Sequence, residues 1–353
     1  MTGEPSLSRM FASMVQSTCA IGSGALRGLS GTEGSARQIF HTGLGLSSGL
    51  VQLAEKFTPP CQSMDVVLIE LQNKMRAFEY FEFPDLILDI RPDAALPLDE
   101  AIQKARSMGR YPSIWLTEGL SHCFAAHHWE HWDRGGLLVA RHFPQWSLTP
   151  LHAGMSLAFA ERLLAPLRDE NQFDAFRQAM RRFNFLCRIN STDQYQGVAF
   201  EGLGLVVRNL YPGLAMVVEQ CLEEIDGTLV PYFWHGFGRG IYFSPINFLP
   251  WNNSPWRCVE LAKEEPPHET GRRNAMAGVA FALTLVNATH PEVLAAFMQC
   301  HGQELSGDES FASGVAAASS VWNESANESA TALGPQHSAD RFQYQPAGQR
   351  GAS

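Results

Sequence analysis

The chain has 353 residues, of which 45% are apolar and 18% charged, enough for a sizeable buried core and too apolar for wholesale disorder. Its 26 basic residues against 36 acidic ones give a formal net charge of -10, which argues against the basic footprint of a nucleic-acid binder. Seven cysteines stand singly with no CxxC spacing, the pattern of reduced thiols, and no window approaches the roughly 18 apolar residues of a spanning helix. No apolar leader with a cleavage site follows Met1, so the expectation is a cytoplasmic protein without a transmembrane segment.

Residues 1–35 are rich in Ser, Gly and Thr and read as a flexible N-terminal arm. Phe40 to Phe57 has helical spacing, stopped by Pro59-Pro60, and Asp65 to Phe83 places Val66, Val67, Ile69, Leu71, Met75 and Phe78 on one helical face. A helix from Leu98 to about Met108 follows, then a segment from Ser113 to Trp132 opened by Pro112. Thr149-Pro150 reads as a cap followed by a first-turn proline, starting a helix that runs to Leu164.

Asn171 to Asn184 is basic and amphipathic, Ala199 to Leu210 apolar, and Leu214 to Ile225 ends at Gly227. Val230 to Phe243 is the next apolar helix, after which Pro245, Pro250 and Pro255 break regularity. Thr270 to Asn287 and His290-Pro291 to Cys300 form the last predicted pair. Residues 36–301 thus make one α-helical repeat domain, and residues 302–353, rich in Ser, Ala, Gln and Gly, read as a disordered C-terminal tail.

A glycine, one apolar residue and a second small residue recur six times inside apolar stretches. The copies are Gly43-Leu44-Gly45, Gly119-Leu120-Ser121, Gly154-Met155-Ser156, Gly202-Leu203-Gly204, Gly236-Phe237-Gly238 and Gly278-Val279-Ala280. Each glycine costs helix propensity, about 1 kcal/mol against Ala, so their recurrence points to helices that must approach closely. The fold expected is mostly α: helix–turn–helix repeats packed in a curled or closed, toroid-like α/α arrangement.

The phrases Phe200-Glu201-Gly202-Leu203-Gly204 and His235-Gly236-Phe237-Gly238-Arg239-Gly240-Ile241-Tyr242-Phe243, with the segment Asn274 to Asn287, resemble an uncharacterised bacterial family. It is the domain of unknown function associated with enediyne-type polyketide biosynthesis. The resemblance spans about Phe40 to Cys300 and implies a place in a bacterial biosynthetic pathway, without catalytic residues to carry over. The His- and Trp-rich stretch Ala126 to Trp146 departs from the family pattern.

Ionisable residues flank the notches. Glu118, Glu201 and His235 directly precede a glycine, and His122 and Arg239 lie three residues after one. Equivalent placement would gather Glu118, His122, Glu201, His235 and Arg239 on one cavity, as acid/base groups with Arg239 holding an anion, or as ligands of a divalent metal such as iron or zinc. The alternative is a set of buried interhelical hydrogen bonds. His127 and His131 have the i, i+4 spacing of two imidazoles on one metal, with His142 or His152 as a third ligand.

The P-loop, the GxSxG elbow and the Rossmann fingerprint are absent from the sequence. Two functions remain from this reading. One is binding or converting a hydrophobic, polyketide-like intermediate in a central helical cavity. The other is a non-catalytic scaffold or accessory subunit that binds partner proteins of the same pathway.

Overall fold

The computed structural model describes residues 63–90, 97–139, 142–167, 172–244, 247 and 254–326. Among these the regular structure is entirely helical, as the glycine-notched, proline-punctuated sequence leads one to expect. The arm over 1–35, the helix expected over 40–57 and the first notch, Gly43-Leu44-Gly45, lie outside the described residues.

Helix α1 spans Met64–Glu82, capped by Ser63, whose Oγ accepts from Val66 N. Short α2 (Pro84–Ile87) and α3 (Leu98–Ser107) lead to α4 (Arg110–His127) and α5 (Gln145–Leu164). Then come α6 (Phe173–Asn190), α7 (Gln196–Leu210), α8 (Ala215–Asp226) and α9 (Val230–Tyr242). The chain continues through α10 (Ser254–Glu264), α11 (Glu269–Val286), α12 (Pro291–Leu305) and α13 (Glu309–Glu324).

The apolar helices pack in chain order, α4 on α5, α5 on α7, α7 on α9, α9 on α11 and α11 on α13. The notches are the seams. A β-carbon at Gly154 would stand 1.9 Å from the Glu118 carbonyl oxygen, one at Gly236 1.8 Å from that of Glu201, and one at Gly278 2.0 Å from that of His235. Gly119 approaches Phe81 O of α1 in the same way, at 2.1 Å. Backbones this close exclude any side chain at those positions, which is the physical reason for the repeated glycines.

Gly314 of α13 sits on Ala277 O of α11, and α13 also touches α5. The Arg110 guanidinium of α4 lies 3.6 Å from the Trp322 ring centroid, donates to the Trp322 carbonyl, and donates from Nε to Ser325 Oγ at 2.9 Å. Helices α3, α8, α10 and α12 pack on α4, α6, α11 and α1 respectively.

Several sequence expectations need correction. Thr149 does not cap α5: the helix begins at Gln145 behind Pro144, and Pro150 lies inside it. Gly227 caps the end of α8 as expected, at φ -57°, and opens a 3-10 turn leading into α9. Pro255 does not break structure but occupies the first turn of α10, where its missing N–H costs nothing. Residues 302–353 are not all tail: α12 runs to Leu305, and α13, capped by Asp308 Oδ1 on the Ser310 and Phe311 amides, buries Phe311, Ala318 and Val321.

Candidate functional site

Four of the five residues singled out beside the notches converge inside the protein. Glu118 comes from α4, Glu201 from α7, and His235 and Arg239 from α9, one turn apart. Arg239 donates from Nη2 to Glu118 Oε1 and from Nη1 to Glu201 Oε2, both at 3.3 Å. His235 Nδ1 lies 3.0 Å from the same Glu201 oxygen. All four are at most 6% exposed, so the charges interact in a weakly screened interior.

The seams explain this convergence. The carbonyls of Glu118, Glu201 and His235 are the surfaces on which Gly154, Gly236 and Gly278 rest, so each backbone is clamped where its side chain leaves the helix. Burial raises the Glu118 pKa, and the opposing charge of Arg239 only partly offsets it. Glu118 therefore keeps its proton to higher pH than an ordinary glutamate.

His122 is the exception. Its Nε2 lies 3.3 Å from Glu161 Oε2 of α5, and it has no hydrogen bond to Arg239, Glu201 or His235 among those the structure shows. Burial acts to lower its pKa, but the Glu161 charge and hydrogen bonding with Cys123 and Glu161 outweigh it and hold the pKa well above the usual histidine value.

The shared helical face expected for His127 and His131 does not form either. Helix α4 ends at His127, and His131 falls in a 3-10 turn over Trp129–Arg134. His152 is committed elsewhere: Nδ1 is 2.6 Å from Leu148 O and Nε2 accepts from Thr192 N at 3.1 Å. Among the described residues, no group of three or more His, Cys, Asp or Glu is placed to hold a metal.

Two cavities flank Arg239, and Glu118 lines both. The first, with about 40 Å³ open to water-sized molecules, is walled by Phe78, Phe81, Trp115, Leu157, Leu205 and Phe243. The second, of about 30 Å³, adds Glu201, His235 and Thr149 to a largely apolar wall. Within the described residues, Arg239 Nε and Thr149 Oγ1 are buried and make no hydrogen bond. Each is a polar group in want of a partner, a costly condition in a folded interior.

A second buried polar cluster escaped the sequence reading. Lys74, wholly buried, pairs with Glu70 at 2.8 Å and donates to Ser254 Oγ at 2.6 Å and to Asn247 O at 3.2 Å. Tyr242 donates to Glu70 Oε1 at 2.6 Å, and Asn287 joins Tyr242 to Asn73. These polar groups complete one another and tie α1 to α9, α10 and α11, a structural cross-brace rather than a place for a ligand. The available signal was a Lys and a Glu, four apart, on the apolar face of α1.

Comparison of the chain with protein-family models, with curated proteins and with solved structures gives no match in any of the three.

Proposed function

We propose that this protein binds a hydrophobic small molecule bearing a carbonyl group at the Glu118–Arg239–Glu201–His235 site and acts on it by proton transfer. The observation that carries the reading is the buried, unpartnered Nε–H of Arg239 beside an aromatic-walled cavity. Its other two nitrogens each bond to a carboxylate, so the unpartnered Nε–H suits a neutral acceptor oxygen better than an anion. Glu118, whose pKa burial raises, serves as the acid, and His235 beside Glu201 as the base.

The first cavity takes only a few heavy atoms, so a longer chain would present one carbonyl-bearing end to Arg239. A polyketide-like intermediate has carbonyls suited to this, and the family resemblance adds a bacterial biosynthetic pathway as the setting. The curled, closed arrangement of the seams belongs to the same proposal, supported by the contacts of α13 with α4 and α5. A divalent metal is not part of it.

The test is ligand-observed NMR with 2-butanone as the probe. The wild type should bind it, while Leu157→Phe, which fills the cavity, and Arg239→Met, which removes the donor, should not. Binding unchanged by both substitutions would refute the reading and favour the accessory-subunit alternative, in which the charges have no ligand.

A further inference from the structure

We infer that the second cavity is a water site, organised by Thr149, and that its water is the second reactant, making the chemistry an addition of water to the carbonyl. The inference deepens the function proposed above and rests on it. It starts from a local anomaly. A threonine within a helix usually returns its hydroxyl to the carbonyl one turn back or to solvent. Thr149 of α5 does neither: it is 9% exposed, and Oγ1 has no hydrogen-bond partner among the described residues.

The cavity that Thr149 lines is also lined by Arg239, Glu201 and His235. Its open volume of about 30 Å³ exceeds the roughly 10–15 Å³ that one water requires. An enclosure walled only by groups such as Ile114, Phe281 and Leu285 would stay dry. The hydroxyl, guanidinium, carboxylate and imidazole supply the two to four partners that hold a water in place. The first cavity is apolar except for Glu118, Asn209, Arg239 and the indole N–H of Trp115, which gives the two chambers different occupants: carbonyl substrate in one, water in the other.

The step balances. The water oxygen bonds to the carbonyl carbon while one of its protons passes to the His235 imidazole. The carbonyl π pair moves onto oxygen and takes the proton of Glu118, giving a geminal diol. Reversal, with loss of either hydroxyl, returns ketone and water, so no oxidant or further co-reactant is needed. Thr149 acts as a positioning residue for the water.

The experiment uses the full chain, with 2-butanone in 18O-labelled water followed by mass spectrometry, alongside crystal structures that resolve ordered water. Wild type should show a water on Thr149 Oγ1 and should accelerate 18O entry into the ketone. Thr149→Val, equal in shape, should lose the water and slow exchange about tenfold, the scale of one lost hydrogen bond. Its 2-butanone affinity should remain near wild type, and Thr149→Ser should restore both water and rate. An empty cavity in the wild type, or equal exchange by wild type and Thr149→Val, overturns the inference. A wild type that binds no 2-butanone overturns the proposed function instead. The density at Thr149 then decides the water site alone, its presence supporting the site and its absence overturning it.

Discussion

Gly236 of α9 rests on the main-chain carbonyl of Glu201 of α7, where a β-carbon would stand 1.8 Å from the oxygen and 2.7 Å from the carbonyl carbon. The same contact that joins the helices fixes the backbone of a residue at the buried charge cluster. Packing and site are therefore one feature: changing the seam moves the carboxylate.

Gly236→Ala should be strongly destabilising, because the obstacle is backbone that cannot rotate away. Overpacking of this kind costs about 1–3 kcal/mol and sometimes more, and the upper end is expected here. Gly213 is the control: it is exposed, and a β-carbon there would meet nothing within 4 Å. Gly213→Ala should be neutral or stabilise by up to about 1 kcal/mol. Paired denaturant titrations check the contrast.

His152 should make stability fall with acid. Its pKa is lowered to about 4, chiefly by burial, against 6.5 in the unfolded chain. The unfolded state then binds more protons below pH 6.5, so stability is full above that pH and declines as pH falls toward about 4. The geometry agrees, since Nε2 accepts from Thr192 N and protonation would set two N–H groups against each other. The shift corresponds to about 3 kcal/mol at its fullest. His152→Gln should flatten this limb of the pH–stability curve measured by chemical denaturation.

His122 should act with the opposite sign. A folded pKa raised above the unfolded value adds stability below the unfolded pKa, and that contribution disappears as pH rises through the folded value. Glu161→Gln should remove this alkaline decline while leaving the His152 limb untouched. An unchanged alkaline limb would show that Glu161 does not hold the His122 charge.

Helix α13 should prove integral to the fold. Removing residues 307–353 uncovers the α11 surface on which Gly314 rests and the face of Phe297 on which Phe311 stacks, and it removes the Arg110–Trp322 contact. The truncated chain should unfold at lower denaturant concentration and bind hydrophobic dye.

The seams were legible because glycine at regular apolar positions has few other physical reasons to be there. For the same reason Glu118, Glu201, His235 and Arg239 could be placed together: flanking the notch sets their distance from a neighbouring backbone. His122 could not be placed, because i, i+4 spacing from Glu118 gives a shared face but not the direction of the ring, which Glu161 on α5 determines. Helix α13 was hidden by its Ala-, Ser- and Gly-rich composition, since small residues pack tightly on α11 with little apolar periodicity. For α10, three nearby prolines outweighed the spacing of Cys258, Val259 and Ala262, and Pro255 turned out to open the helix. His127 and His131 failed because α4 stops between them.

The central claim is that the buried charges exist for a ligand rather than for the fold, and replacing them together tests it. Buried ion networks exchanged for apolar groups of like volume are often neutral or stabilising, whereas removing one partner alone costs about 3–5 kcal/mol. The triple variant Glu118→Leu, Glu201→Leu, Arg239→Met should keep a melting temperature at or above wild type and lose 2-butanone binding. A triple variant that still binds 2-butanone, or that unfolds as readily as Arg239→Met alone, would contradict the account.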